Sequence, residues 1–346
     1  MTDLQNTDMK LTISSSPHLR TNDDTRSIML DVIIALIPAL AVAMYIFGIQ
    51  ALILTCVSVA ASVFFEWCYR KLLKKSKSIG DLSAIVTGIL IAYCLPVSTP
   101  LWIVIVGDFF AIIIVKQLFG GIGQNFVNPA LAARAFLFSY PVVMSTWVRP
   151  LSYNSFFSVN MTDAVTGPTP LASLSNSVLP EGINLMQAFF GQVGGSMGEI
   201  SAFALILGGI YLIIRRVISP RIPLAYLLTV AVITFIFPRG NDNLIWMAWN
   251  LFSGGVMLGA IFMATDYATS PITPLGQIIY GIGCGLLTVF IRYFGSYPEG
   301  TSYAILIMNI CVWLIDKATM PHRFGFTRAM KKAEKDAAKA AKEANA

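Results

Sequence analysis

Charge is scarce in this sequence. Only 12% of its 346 residues are Asp, Glu, Lys or Arg, about half the share found in soluble globular proteins, while 56% are hydrophobic. A soluble domain of this make-up would lack the polar surface to cover itself, whereas a bilayer solvates apolar helix exteriors directly. Histidine is scarcer still. His18 and His322 lie in flanking polar segments without neighbouring ligands, which argues against a transition-metal site built by this chain alone. The five cysteines (Cys56, Cys68, Cys94, Cys284, Cys311) form no C-x-x-C pair, which argues against a zinc or iron–sulfur site made by this chain alone. They read as small buried hydrophobes, with a cysteine shared with a partner subunit as the alternative. A Walker loop and a G-x-G-x-x-G fingerprint are also missing, against a self-contained ATPase or dehydrogenase. The first twenty residues have no apolar core, so no cleavable signal peptide is expected.

What the sequence has is long apolar runs. A helix crossing a hydrocarbon core of about 30 Å needs roughly 17–25 apolar residues. Segments near 29–48, 50–69, 82–97, 101–118 and 129–144 qualify in the first half, and 199–215, 222–237, 244–263, 274–294 and 302–316 in the second. The expected fold is an all-α polytopic membrane protein of about ten spans. Pro and Gly interrupt several of them, which is tolerated at membrane depth only where protein or a cavity satisfies the freed backbone groups.

The basic residues cluster in 70–77, at Arg215, Arg216 and Arg221, and in the tail from Lys317. That distribution reads as topology rather than nucleic-acid binding. With residues 1–27 in the cytoplasm, all these clusters and Lys116 fall inside, as does the tail 318–346. The loop 145–198 falls outside with Arg149 as its one basic residue. Arg239 and Arg292 are exceptions near outer span ends, where a long side chain can snorkel.

The halves 28–144 and 199–317 resemble each other. GILIAYCLPVSTP from Gly88 matches GAIFMATDYATSP from Gly259, each with a proline twelve residues on, and KQLFGG (116–121) pairs with IRYFGS (291–296). Five spans per half makes the second copy inverted, an arrangement by which transporters place a site near the midplane.

Acids inside the spans cost roughly 2.5–3.5 kcal/mol each on insertion scales. Asp108 lies mid-span in IVIVGDFFAIIIVKQ and is a candidate for cation passage, with a structural pair to a backbone group or to Lys116 as the plainer reading. Asp31, Glu66 and Asp266 lie near span ends and read equally well as interfacial. In the outer loop, Asp163-Ala164-Val165-Thr166-Gly167-Pro168-Thr169-Pro170 holds Thr169 between two prolines. The residue before a proline is extended, so Thr169 is expected to be presented stiffly. Asn128 is a good N-cap for a helix starting at Pro129.

SPHLR (16–20), GGIGQNFVNPA (120–130), DAVTGPTPLA (163–172), GEISAFALILGGIYLIIR (198–215) and MATDYATSPITPLGQ (263–277) occur here in that order. On these stretches the chain resembles the D subunit of the Rnf ion-translocating electron-transport complex, a relative of the B subunit of the sodium-pumping quinone reductase. The resemblance implies a fold similar to urea transporters and FMN held as a phosphoester on Thr169. Asp163, Thr166 and Gly167 complete the motif read by a flavin transferase, although Pro168 replaces the usual alanine. It also implies A-, B-, C-, E- and G-type partner subunits and a cell-membrane location. Redox-driven Na⁺ or H⁺ transport would run by way of Asp108, Asp31 and Asp266, and a non-covalent riboflavin near the ATD-TSP and NPA segments is a further implication. A sodium-pumping quinone reductase subunit, a cofactor-free transporter and a structural scaffold are the competing readings.

Overall fold

The computed structural model describes residues 24–74, 79–141, 146–151, 169–180, 182–240, 242–295 and 299–321. Among them there is no β-strand; the architecture is helical throughout. The first half holds α1 (Thr25–Phe47), α2 (Ile49–Leu72), α3 (Ser83–Tyr93), α4 (Leu101–Phe109, continuing as π-turns over Phe110–Gln117) and α5 (Pro129–Leu137). Two short helices follow, α6 (Pro170–Ser175) and α7 (Leu185–Phe190). The second half holds α8 (Ala202–Ile214), α9 (Arg221–Ile236), α10 (Asn243–Phe252), α11 (Val256–Leu258, continuing as π-turns over Gly259–Met263), α12 (Pro274–Phe294) and α13 (Thr301–Thr319).

Sequence chemistry sets the ends of these elements. α1 opens on a capping box between Asp24 and Ser27, and Gly48, at φ 73°, turns the chain straight into α2. Asn128, Thr169 and Thr273 each cap a helix that starts with proline, whose missing N–H costs nothing at that position. Inside α1, Pro38 removes the N–H that would bond the Ile34 carbonyl; nearby, Tyr93 of α3 donates its hydroxyl to the Leu36 carbonyl at 2.8 Å and ties α3 to α1.

Among the described residues, four helices are long and apolar enough to cross a membrane: α1, α2, α12 and α13. A fifth span is added if α10 and α11, bent by 64° at a short break, count as one. Several of the expected segments are shorter as helices than a full span. The run 82–97 yields only the 11 residues of α3, and 129–144 only the 9 of α5. At about 1.5 Å per residue these cover about half of a hydrocarbon core or less. The chain leaves helix after Tyr93, where Pro96 and Pro100 follow, and a glycine-rich segment precedes Asn128.

α1 packs on α8 and α2 on α3 and α4, while α9 packs on α10 and α12 and α12 on α13. Gly208 of α8 sits against the Ala35 carbonyl of α1, with room for no side chain. One core runs through the middle and includes Leu36, Tyr93, Leu205, Tyr226 and Tyr280. The outward faces are apolar too, with Leu224, Leu228 and Val232 exposed on α9 and Ile282, Leu286 and Phe290 on α12. Continuous apolar faces of this kind suit lipid or a partner rather than water. A second, smaller core joins α6, α7 and α10 through Leu171, Leu174, Ala188, Trp246 and Trp249, and this core holds Thr169 in place.

Candidate functional site

Ionisable groups are buried at three levels. At the level of the α1 start and the α8 end, the broad π-turns after Phe109 bring Lys116 and Gln117 inward. Such turns widen a helix and recur at functional sites. Lys116 donates to Glu66 of α2 at 2.9 Å and to the Ser83 hydroxyl of α3 at 2.7 Å. Arg70 lies 3.6 Å from the same Glu66. The Asp108–Lys116 pair allowed by the sequence is therefore not formed. Lys116 and Ser83 line a cavity of about 290 Å³ together with Asn125, Asn128, Asp266 and Tyr267. Asn128 does more than cap α5, since its side-chain amide also donates to the Met263 carbonyl at 3.2 Å. In the turn after α11, Asp266 accepts from Thr269 at 3.1 Å.

Asp31 is engaged elsewhere. It accepts from Tyr211 at 2.8 Å and from Arg215 at 3.2 Å, both at the α8 end, and so ties α1 to α8. Midway along the bundle stands Asp108, fully buried and accepting from Ser58 and Ser62 of α2 at 2.9 and 3.1 Å. The structure thus keeps Asp31, Asp108 and Asp266 apart, in three different settings.

The third level lies toward the opposite helix ends. Arg134 of α5 donates to Glu199, before α8, and to Glu299, before α13, and its second terminal nitrogen is 3.2 Å from the Ser196 hydroxyl. Burial and the nearby Glu199 charge push Glu299 up to about 7, against the pull of Arg134. Arg292, expected to snorkel, is instead buried and donates to the carbonyls of Asn250 and Ser253 at 2.6 and 2.9 Å. These carbonyls sit where α10 ends and have no helical partner of their own. Arg239 lies over the Tyr293 ring at 4.4 Å. Ser196 stands in a G-x-S-x-G run (194–198), but it is fully buried and held by Arg134, unlike an exposed nucleophile.

Thr169 borders this third level. Its backbone is extended (φ −74°, ψ 153°), as a residue before proline should be, and its hydroxyl accepts from Ala172 at 3.3 Å. It is only 8% exposed, so it is less open than its loop position suggested, because α6 docks on Trp246 and Trp249. Thr169 lines a narrow cleft with Gly194, Gly195, Glu199, Ser253, Gly254 and Glu299. In that cleft the buried Ser253 hydroxyl has no partner among the described residues, an orphan that a ligand oxygen would satisfy. Asp163, Thr166 and Gly167 lie outside the described residues.

Arg134, Glu199 and Glu299 escaped the sequence reading. The one signal was Arg134 itself, a charge inside the apolar run NPALAARAF; nothing local tied it to glutamates 65 and 165 residues away.

Apolar outer faces on long helices, around a core that buries ionisable groups, fit a polytopic membrane protein. The chain belongs to the NQR2, RnfD, RnfE family, which it matches over residues 12–325. The D subunit of the Na(+)-translocating ferredoxin:NAD(+) oxidoreductase complex of Acetobacterium woodii is 50% identical, over 94% of this chain and 99% of the relative. Its counterpart in Clostridium ljungdahlii, named as proton-translocating, is 41% identical over 92% of this chain and 97% of its own length. The D subunit of an ion-translocating oxidoreductase complex of Actinobacillus succinogenes is 36% identical, over 91% of this chain and 98% of the relative.

Proposed function

We propose that the chain is the D-type membrane subunit of an ion-translocating ferredoxin:NAD oxidoreductase. In this reading it carries electrons through FMN esterified to Thr169 and couples their passage to movement of Na⁺ or H⁺. The observation that carries the assignment is the end-to-end likeness to subunits so named, at 50% identity to the Acetobacterium woodii relative. The partners are then A-, B-, C-, E- and G-type subunits, and a flavin transferase matures the chain by reading the motif that includes Asp163, Thr166 and Gly167.

The residues at Thr169 suit the phosphate end of the nucleotide. Ser253 offers a hydroxyl without a partner among the described residues, and Arg292 stands behind it on the Ser253 carbonyl. The charge of Arg134 is taken up by Glu199 and Glu299, which line the cleft. The cleft is too narrow for the isoalloxazine rings, which leaves them for the surface shared with a partner subunit. When bound, FMN supplies the electron-transfer chemistry; this chain tethers and orients it. The larger cavity beside Lys116 and Asp266 suits the flat ring system of a second, non-covalent flavin such as riboflavin. The ion route includes Asp108 and Asp266, with Asp31 near its cytoplasmic end.

The same reading takes α1–α5 and α8–α13 as two inverted repeats, similar to urea transporters, that make about ten membrane-embedded segments. Its support is the matching order of contacts: α2 on α3 and α4 in one half, α9 on α10 and α12 in the other, with α1 meeting α8 and α5 meeting α13 between them. Both termini are then cytoplasmic and Thr169 faces the outer side of the cell (inner) membrane. The test is in-gel flavin fluorescence of this subunit after denaturing electrophoresis, wild type against Thr169→Ala, each expressed with the transferase. A fluorescent wild type and a dark variant are expected. A dark wild type, with the transferase active on another substrate, overturns the flavin assignment and favours a cofactor-free transporter.

A further inference from the structure

α2 turns a polar stripe inward. Thr55, Ser58, Ser62 and Glu66 are all buried and recur at the three- and four-residue spacing of one helix face. Halfway along it, three helices bring oxygen atoms together. Asp108 of α4 presents a carboxylate whose Oδ1 accepts from both serines at 2.9 and 3.1 Å. From α3 comes the Gly88 carbonyl, 2.8 Å from the Ser58 hydroxyl. Gly88 permits this approach: a Cβ there would lie 2.9 Å from the Val59 Cα and 3.1 Å from the Ser62 Oγ.

The donors do not suffice. Ser58 has one hydroxyl proton and two acceptors in reach, while Asp108 Oδ2 is buried with no partner among the described residues. Nor is there a counter-charge among the described residues packed around it. On α2, Glu66 carries the wrong sign and is held by Lys116 at 2.9 Å and Arg70 at 3.6 Å. The Lys116 ammonium, the one cation on the π-turns, is spent on that pair and on Ser83. α3 has no charged side chain, and on α5 Arg134 is held by Glu199 and Glu299. A bare carboxylate in such a place is strongly disfavoured unless a positive charge joins it.

We propose that Asp108, Ser58, Ser62 and the Gly88 carbonyl form a site for one exchangeable monovalent cation, occupied by H⁺ or Na⁺ in turn. One carboxylate balances one charge, and hard oxygen ligands select a hard cation over a transition metal. The site deepens the ion-route reading above by naming its midpoint, but it stands on this geometry whether or not Thr169 carries a flavin.

The test uses the purified complex and dicyclohexylcarbodiimide, an apolar reagent that adds to protonated carboxyl groups. The readout is the mass of the peptide containing Asp108. In Na⁺-free buffer at acidic pH the peptide is expected to gain the reagent, and saturating NaCl should lower the yield several-fold. The protecting Na⁺ concentration should rise as pH falls, and rise again in Ser58→Ala and Ser62→Ala. Asp108→Asn must abolish the adduct. Absence of the adduct in Na⁺-free buffer, or an adduct indifferent to Na⁺, overturns the proposal. If labelling behaves as expected while Asp108→Asn transports ions as tightly coupled as wild type, the cation site stands and the ion-route reading falls. In-gel flavin fluorescence of the same variant reports on the Thr169 assignment separately.

Discussion

Arg134 binds two carboxylates at once and so cannot fully compensate both. Glu299, at the loop before α13, is the one held up to about 7, from an ordinary 4.5. A carboxyl whose folded pKa is raised favours the folded state below its unfolded value, and that advantage is lost as pH rises through the folded value. Rising pH between about 4.5 and about 7 is therefore expected to lower the thermal midpoint of the purified protein. Glu299→Gln keeps the side chain's size and removes its titration, so its midpoint should be flatter over that window. A variant with the wild-type slope would show that Glu299 does not titrate there. Residues that stand out locally, such as Asp108 inside an apolar run and Thr169 between prolines, are legible in the sequence. The neighbours of Arg292 are not, since a long cation near a span end can either reach out to the interface or turn in to bare carbonyls. Only packing decides between them.

Close approach governs the helices. Gly208 lets α8 lie directly on α1, where a Cβ would collide with the Ala35 carbonyl oxygen. Backbone cannot swing aside as a side chain can. Gly208→Ala is expected to cost about 1–3 kcal/mol through forced separation of the two helices, read as a lowered midpoint in detergent. Gly80→Ala, with nothing within 4 Å, should stay within about 0.5 kcal/mol of wild type. Equal effects of the two would show that the α1–α8 contact is looser than described. Element existence was legible in the apolar runs, but lengths were not. The runs at 82–97 and 129–144 are as greasy as full spans, yet α3 stops at Tyr93 and α5 at Leu137. Hydropathy measures what surrounds a segment, and protein surrounds these pieces as effectively as lipid.

Over the whole molecule, charge and cleft lie at opposite ends. Arg70, Lys116 and Arg215 cluster around the α1 start and the α8 end, while Thr169, Glu199 and Glu299 gather where α8 and α13 begin. With the basic end in the cytoplasm, a cysteine placed at Ser177, just past α6, is expected to react with an impermeant maleimide on intact cells. One placed at Lys74, past α2, should react only after permeabilisation. Both require a background without the native cysteines, two of which are exposed on α2. The reverse pattern would invert the topology and put Thr169 inside.

Composition by itself determined that this chain lives in a membrane, because a polypeptide with so few charges has no other solvent that covers it. The order of motifs determined its kinship, and the spread of Lys and Arg determined which end faces the cytoplasm in the reading proposed. Only the tertiary structure decided who partners whom: Lys116 with Glu66 and not Asp108, Arg134 with two glutamates from distant loops, Asp31 with Tyr211 and Arg215. Ion pairing in a bilayer depends on which groups packing brings within a few ångströms once water is gone. Sequence separation carries no information about that distance.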